Sequence, residues 1–357
     1  MYEKIYSELL NNLDNGIRSI LVTEVEIENS RNKIVNKELF SLEDLKKEKF
    51  DKKFEPLVEE LKNSFNLGTP QKIQNSDKMF IIEPFFPKPR VVIFGGGHIA
   101  KPLVDLCVDS EFSVTVIDDR PVFANTGRFP RADEVICDSF KSSFNRVNLR
   151  KDDFVVIVTR GHKHDNICLR NALEVDGLAF LGMIGSKKRV RDMMNELKDD
   201  GYSDQLLSKV KSPIGLDIGA VTPFEIAISI IAELIEYRRR KSNMAKGLPR
   251  KFNWPEFDRD VISSLSKKED MDRAIITITM SKGSVPRKAG AKMLVYPDGR
   301  ILGSIGGGCA EAGIINTARD LIREKGCIEE RVDMTNEEAE KSGMACGGII
   351  DVLIEAF

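Results

Sequence analysis

VVIFGGGHIA, residues 91–100, sets an apolar run directly before a glycine turn, and IAKPLVDLC then continues as a helix. Four apolar residues in succession read as a strand covered on both faces. Gly95, Gly97 and Ala100 fill the three small-residue positions of the G-x-G-x-x-G/A fingerprint. Small residues there let the helix N-terminus approach a pyrophosphate, whose negative charge the free N–H groups and the helix dipole favour. Gly96 and His98 lie in the same turn and join the candidate ligand set. Asp118 ends the next apolar run, FSVTVIDD, 23 residues beyond Gly95, where a carboxylate can accept from ribose hydroxyls. Such a crevice admits NAD(P) or another dinucleotide-like ligand. Outward from this stretch, RVVIFGG, FSVTVIDD, EVICD, DFVVIVT and LAFLGMIG alternate with helical patterns. The spacing predicts strand–helix units, a parallel sheet and an α/β, Rossmann-type domain over 86–245.

All three histidines fall in this region. His98 is in the glycine turn; His162 and His164 follow the strand DFVVIVT in TRGHKHD. Loops at the C-terminal ends of strands are where open α/β sheets bind ligands. His162, His164 and Asp165 are therefore candidates to bind phosphate, position a ligand or coordinate a metal, with loop and helix capping the bland alternative. GMIGSKKRVR, 182–191, repeats the device of strand, turn and basic helix opening. Ser186, Lys187, Lys188 and Arg189 can embrace a phosphate or simply form a solvated basic face. Further on, Thr222, Pro223 and Glu225 form a capping-box start for the apolar helix IAISIIAELI, and RRRK at 238–241 suits its C-terminal dipole end.

The chain has 357 residues, enough for two or three domains. A net charge of −2 gives no whole-chain basic field for nucleic acid. No run of 18 apolar residues predicts a membrane span, and MYEKIYSELLNN has no signal-peptide pattern. The six cysteines form no CxxC pair, which argues against a zinc ribbon and fits a reducing cytoplasm. Residues 1–85 read as an α/β segment: an amphipathic helix, the strand SILVTEV, then the charged stretch LEDLKKEKFDKKFEPLVEELKN, taken as solvated helix. Pro84, Pro87 and Pro89 mark a boundary. KGLPRKFNWPEF, with the only tryptophan, Trp254, reads as linker, placed at 246–265. A helix-like stretch near 258 leads into a second, smaller domain over 266–357, opening on the strand AIITITM. NNLDNGIRSILVTEVEI near the start echoes SKKEDMDRAIITITMSK near the end, so residues 1–85 read as a degenerate half-copy of the last domain. Cys309, in SIGGGCAE, and Cys346, in GMACGG, are each flanked by glycines, which allow unusual dihedrals and close approach of another molecule. Tight-turn core cysteines are the bland alternative.

FGGGHIA, VIDDRP, TRGHKHD, LGMIGSKKR and SPIGLDIGAVTPFEIAISIIAEL together resemble, in order, the Rossmann domain of the XdhC/CoxI family. ITMSKGSVPRKAGAKMLVYPDGRILGSIGGGCAEAGI and GMACGGIIDVLIE resemble the family's other domain. The family comprises accessory factors of xanthine dehydrogenase and related molybdenum hydroxylases. The resemblance implies a protein that binds molybdenum cofactor, as molybdopterin or its dinucleotide form. Such a protein protects the cofactor while a cysteine desulfurase or sulfurtransferase supplies sulfide, then delivers it to an apo molybdenum hydroxylase. It is neither a catalyst nor part of the mature enzyme. Cys309 and Cys346 supply thiolates suited to molybdenum or a persulfide, with Glu311 beside them. Gly306, Gly307 and Gly308 offer N–H groups to the anionic cofactor, and Arg287 and Lys288 pair with its phosphate. Arg120 and Arg160, in VIDDRP and TRGHKHD, join the cofactor-binding set. In the family's usual order the cysteine-bearing domain comes first; here the complete copy comes last, so the order looks permuted.

Two other functions compete. An NAD(P)-dependent oxidoreductase needs an acid–base group near the nicotinamide, a role open to His162 or His164 alone among the histidines. A nucleotide-sensing module binds nucleotide and has no use for Cys309 or Cys346. The broad apolar surface of the helix 223–237, including Phe224 and Ile228, also predicts a homodimer.

Overall fold

The computed structural model describes residues 2–28, 32–47, 51–241, 254–307, 309–334 and 348–357, with backbone alone at Lys52, Arg240, Lys241, Cys309 and Ala310. Gly308, Cys346 and residues 242–253 lie outside the described residues. The chain forms two compact units, Met1–Pro87 with Arg250–Phe357, and Lys88–Pro249. Residues 1–85 thus fold together with the C-terminal segment.

The elements of the first segment are α1 (Tyr2–Asp14), β1 (Ser19–Glu26), β2 (Lys33–Ser41), α2 (Leu42–Lys46), a 3-10 turn (Lys52–Leu57), α3 (Val58–Leu67), β3 (Gln71–Gln74) and β4 (Lys78–Phe85). The stretch expected as one solvated helix is in fact broken at the 3-10 turn, which contains Pro56. Only one side of it is solvated: Glu43, Lys53, Glu59 and Lys62 are exposed, whereas Leu45, Phe54, Leu57 and Leu61 pack against Ile20, Val22 and Ile82.

The second unit runs β5 (Arg90–Phe94), α4 (Ala100–Asp109), β6 (Ser113–Asp118), β7 (Glu134–Cys137), α5 (Ser143–Val147), β8 (Phe154–Ile157), α6 (His162–Leu173), β9 (Phe180–Met183), α7 (Lys187–Asp199), α8 (Asp204–Leu207), β10 (Val210–Lys211) and α9 (Pro223–Glu236). Its six strands are all parallel, in the order β10-β9-β8-β5-β6-β7. Successive side chains of a strand point to opposite faces. Val91 and Ile93 accordingly pack with α4 and α9, while Val92 and Phe94 pack with α6 and α7. Burial on both faces explains why these strands are continuous apolar runs.

The chain then returns to the first unit with α10 (Arg259–Leu265), β11 (Ala274–Gly283), β12 (Lys292–Val295), β13 (Ile301–Gly303), α11 (Cys309–Glu324), β14 (Gly326–Asp333) and β15 (Gly348–Ala356). The stretch 246–265 does not behave as linker to its end. Val261, Ile262 and Leu265 of α10 are fully buried, and Trp254 sits edge-on to Phe86 at 5.8 Å. The first unit contains two antiparallel sheets, β2-β1-β4-β3 and β13-β12-β11-β15-β14.

Candidate functional site

The strand order of the parallel sheet reverses direction between β5 and β8. Ligands of open α/β sheets lie at that point, outside the carboxyl ends of the strands. Here those ends carry the Gly95–Gly97 turn and the Val158–Gly161 turn, from which α4 and α6 depart. Gly95 has a φ of +113°, and an added Cβ would lie 2.4 Å from the Val158 carbonyl oxygen. A Cβ at Gly96 would lie 2.0 Å from the carbonyl oxygen of Phe123. The fold itself demands both glycines. At Gly97 nothing lies within 4 Å of an added Cβ, and φ is outside the left-handed region. Neither backbone conformation nor own-chain packing requires a glycine there, and the space above it is free for a ligand.

Asp118 is fully buried. Its carboxylate accepts from the Gly96 N–H at 2.9 Å and from the N–H, Nε and Nη2 of Arg120 at 3.1, 2.8 and 3.0 Å. The expected ribose acceptor therefore fastens the glycine turn and does not face the crevice. Arg120 lies over the Phe123 ring at 3.9 Å, and His98 approaches the same ring at 6.4 Å. Arg128, which the sequence did not single out, crosses the turn and donates to the carbonyl oxygens of Gly96 and Gly97 at 3.0 and 3.2 Å. Arg160 holds Asp119 in a two-point pair, with Nη2 2.8 Å from Oδ2. That hydrogen bond keeps the Asp119 carboxyl below its usual range.

Asp165 is buried at the start of α6, where the Thr159 hydroxyl donates to it at 2.5 Å and the Arg189 guanidinium lies 3.8 Å away. Burial pushes its carboxyl up, more than Thr159, Arg189 and His162 pull it down. His162 faces Glu196 at 3.7 Å, and His164 packs on Phe140 at 5.1 Å. Ser186 caps α7 by accepting from the Arg189 N–H at 3.3 Å, which leaves Lys187 and Lys188 exposed on its first turn. The α6 and α7 openings therefore meet through Asp165 and Arg189.

In the other unit, the backbone of Cys309 opens the 16-residue α11. One oxygen of Glu311 accepts from the Ser304 hydroxyl at 2.7 Å and from the N–H groups of Ile305, Gly306 and Gly307 at 2.8, 3.0 and 2.8 Å. The N–H groups of Gly306 and Gly307, expected to meet an anionic cofactor, are thus held by the chain's own carboxylate. Arg287 is likewise taken up by Glu256 at 2.5 Å and Asp258 at 3.0 Å, because those carboxylates arrive with the segment leading into α10. Lys288 stays exposed, with Nζ 3.3 Å from the Gly283 carbonyl oxygen. Cys107 and Cys327 are buried, which pushes each thiol up to about 12, and Cys168 is buried and raised as well. These three are core residues. Among the described residues, no cluster of three His, Cys, Asp or Glu side chains has the placement to hold a metal ion, and no helix is long and apolar enough to cross a membrane.

A parallel sheet with a glycine turn at its switch point defines a Rossmann-type binding domain, here joined to a second α/β unit with its own glycine loop. Residues 91–234 match the family model described as XdhC Rossmann domain, and residues 267–333 the model described as XdhC and CoxI family. The chain carries both domains of the XdhC/CoxI family. It is 33% identical over 159 residues to a probable subunit of xanthine dehydrogenase from Bacillus subtilis, covering 44% of this chain and 46% of that protein. It is 30% identical over 169 residues to the uncharacterized protein YqeB of Escherichia coli, covering 47% of this chain and 30% of that protein. The matches thus span about half or less of the curated relatives. A crystal structure of a xanthine dehydrogenase from Bacillus halodurans is similar with a TM-score of 0.47 and 29% identity, over 68% of this chain and 65% of that one.

Proposed function

We propose that this chain is an accessory factor in the maturation of a xanthine dehydrogenase-type molybdenum hydroxylase. It carries molybdenum cofactor as cargo, shields it while a cysteine desulfurase or sulfurtransferase supplies sulfide, and passes it to the apo-hydroxylase. It does not turn over a substrate of its own. The observation that carries this reading is the presence in one chain of an XdhC Rossmann segment and an XdhC and CoxI family segment. Support comes from Gly97, a glycine the fold does not require. A pyrophosphate, from the dinucleotide form of the cofactor or from NAD(P), is the ligand class that profits from a bare backbone at that place. Thiolates of Cys309 and Cys346 are soft ligands suited to molybdenum or to a persulfide. Self-association uses the exposed face of α9, where Phe224 and Ile228 project.

Protein purified anaerobically from a cofactor-producing host is expected to carry molybdenum and pterin. Gly97→Val keeps the fold and loses the bound ligand. Cys309→Ala folds and leaves the client hydroxylase inactive. A chain without molybdenum or pterin, together with full client activity from Cys309→Ala, overturns the reading. Nucleotide bound without molybdenum favours a nucleotide-sensing module instead.

A further inference from the structure

The two sheets of the first unit follow one plan. The order β2-β1-β4-β3 repeats as β12-β11-β15-β14, with β13 added at the edge. Each is entirely antiparallel, each is preceded by a helix (α1 or α10), and each carries a helix (α3 or α11) in the same connection. The registers also superpose. Thr23 lies opposite Lys37 and Leu21 opposite Glu83; Thr277 lies opposite Lys292 and Ile275 opposite Glu355. The lysine, threonine and glutamate of one half thus have direct counterparts in the other.

Alternation along the strands gives each sheet an inner and an outer face. In the N-terminal half Ile20, Val22 and Ile82 pack on that half's own α3. In the C-terminal half Ile276, Val352 and Ile354 join Ile314 and Leu321 of α11. The alternate residues form clusters drawn from both halves: Leu21 and Phe85 with Ile275 and Leu294, and Val25 and Ile81 with Leu353. The charged residues at this junction pair crosswise. Lys37 reaches Glu355 at 2.8 Å, and Lys292 reaches Glu83, with all four side chains at most 4% exposed. Each lysine also donates to the threonine of its own half, at 2.8 and 2.9 Å.

Reciprocity of this kind, i to j′ and i′ to j, is the signature of an isologous two-fold interface. In a symmetric pair of C-terminal halves, Lys292 of one copy would meet Glu355 of the other. Here Lys37 and Glu83 stand in for that second copy. We infer that residues 1–87 are a second copy of the C-terminal fold, retained in the chain as its permanent pairing partner. The interface that two copies of the C-terminal domain would share is closed within one polypeptide. The glycine–cysteine loop was kept in one half alone, so each chain carries one such loop per pair. Self-association of the whole chain has to use another surface. This inference stands on the sheets and ion pairs and is independent of the maturation role.

The test uses the full chain with specific protease sites inserted after Pro87 and after Pro249. After native cleavage, fragment 1–87 is expected to co-elute with fragment 250–357 at micromolar concentration. Lys37→Met in the cleaved protein is expected to weaken that retention a hundredfold or more, the fold-change for about 3 kcal/mol at 1.4 kcal/mol per tenfold. Separation of the two fragments in the unaltered protein overturns the inference. So does equal retention by the Lys37→Met protein.

Discussion

Glu311 draws three successive backbone N–H groups and one hydroxyl onto a single carboxylate oxygen. Burial works to raise its carboxyl, but the bonds from Ser304, Gly307, Ile305 and Gly306 outweigh burial and hold it below the ordinary value of 4.5. A depressed carboxyl stabilises the fold above its unfolded-state value, and that contribution is lost as pH falls through the folded value. Glu311→Ala should therefore destabilise the first unit by about 1.5–3 kcal/mol at neutral pH, with Glu311→Gln losing less because its amide oxygen still accepts. The gap between the unaltered chain and Glu311→Gln should shrink in denaturant titrations below pH 4.5; a gap that persists there would mean charge is not what matters. The glycine turns at Gly95–Gly97 and Gly306–Gly307 were legible in the sequence because consecutive glycines mark such turns. The partners of the nearby charges were not. Gly96 and Asp118 are 22 residues apart, and Arg287 and Glu256 are 31 apart. Which donor reaches which carboxylate is decided by the turns between them, so Asp118 and Arg287 read as ligand contacts when the chain itself occupies them.

At the scale of the element, α9 shows two faces that one hydropathy pattern merges. Thr222 and Glu225 cap it reciprocally, as the sequence indicates, with bonds of 3.3 and 2.9 Å. Ala227, Ile230 and Leu234 are fully buried against α4 and the sheet. Phe224 and Ile228 are 56% and 39% exposed. The apolar breadth that predicted a homodimer is thus largely absorbed inside the unit, and those two side chains remain exposed as the contact proposed for self-association. Leu234→Ala should cost about 2–5 kcal/mol by leaving a cavity. Phe224→Ser with Ile228→Ser should leave the melting temperature nearly unchanged and reduce the mass seen by light scattering if the exposed face is the dimer contact. An unchanged dimer mass would remove α9 from the interface. The central parallel strands, though only four to six residues long, were legible because both their faces are buried. The helix-like stretch near 258 was legible as well, but that α10 is buried in the first unit was not, because it has only seven residues and follows a proline-rich, charged stretch.

At the scale of the molecule, the faint echo between the two ends of the sequence becomes a matched pair of sheets. Sequence alone could align the strands SILVTEV and AIITITM, but could not show that Lys292 and Glu83, 209 residues apart, form a buried pair. Removing one member of such a pair leaves an uncompensated charge in the interior, at about 3–5 kcal/mol, whereas replacing both by apolar residues of similar volume is often neutral or stabilising. Lys292→Met should accordingly lower the melting temperature of the first unit by roughly 6–20 °C, at about 2–4 °C per kcal/mol for a unit of this size. Lys292→Met combined with Glu83→Met should recover most of that loss, because the desolvated carboxylate is gone along with its partner. The same pattern is expected for Lys37 with Glu355, although Tyr2 also donates to Glu355 at 3.3 Å and will keep part of the carboxylate satisfied. Lys37→Met should therefore be the milder single substitution of the two. Scanning calorimetry of the four single and double variants measures this directly. A double variant no more stable than its single would show that the lysine and glutamate act on the fold separately, and that the crosswise pairing does not hold the two halves in register.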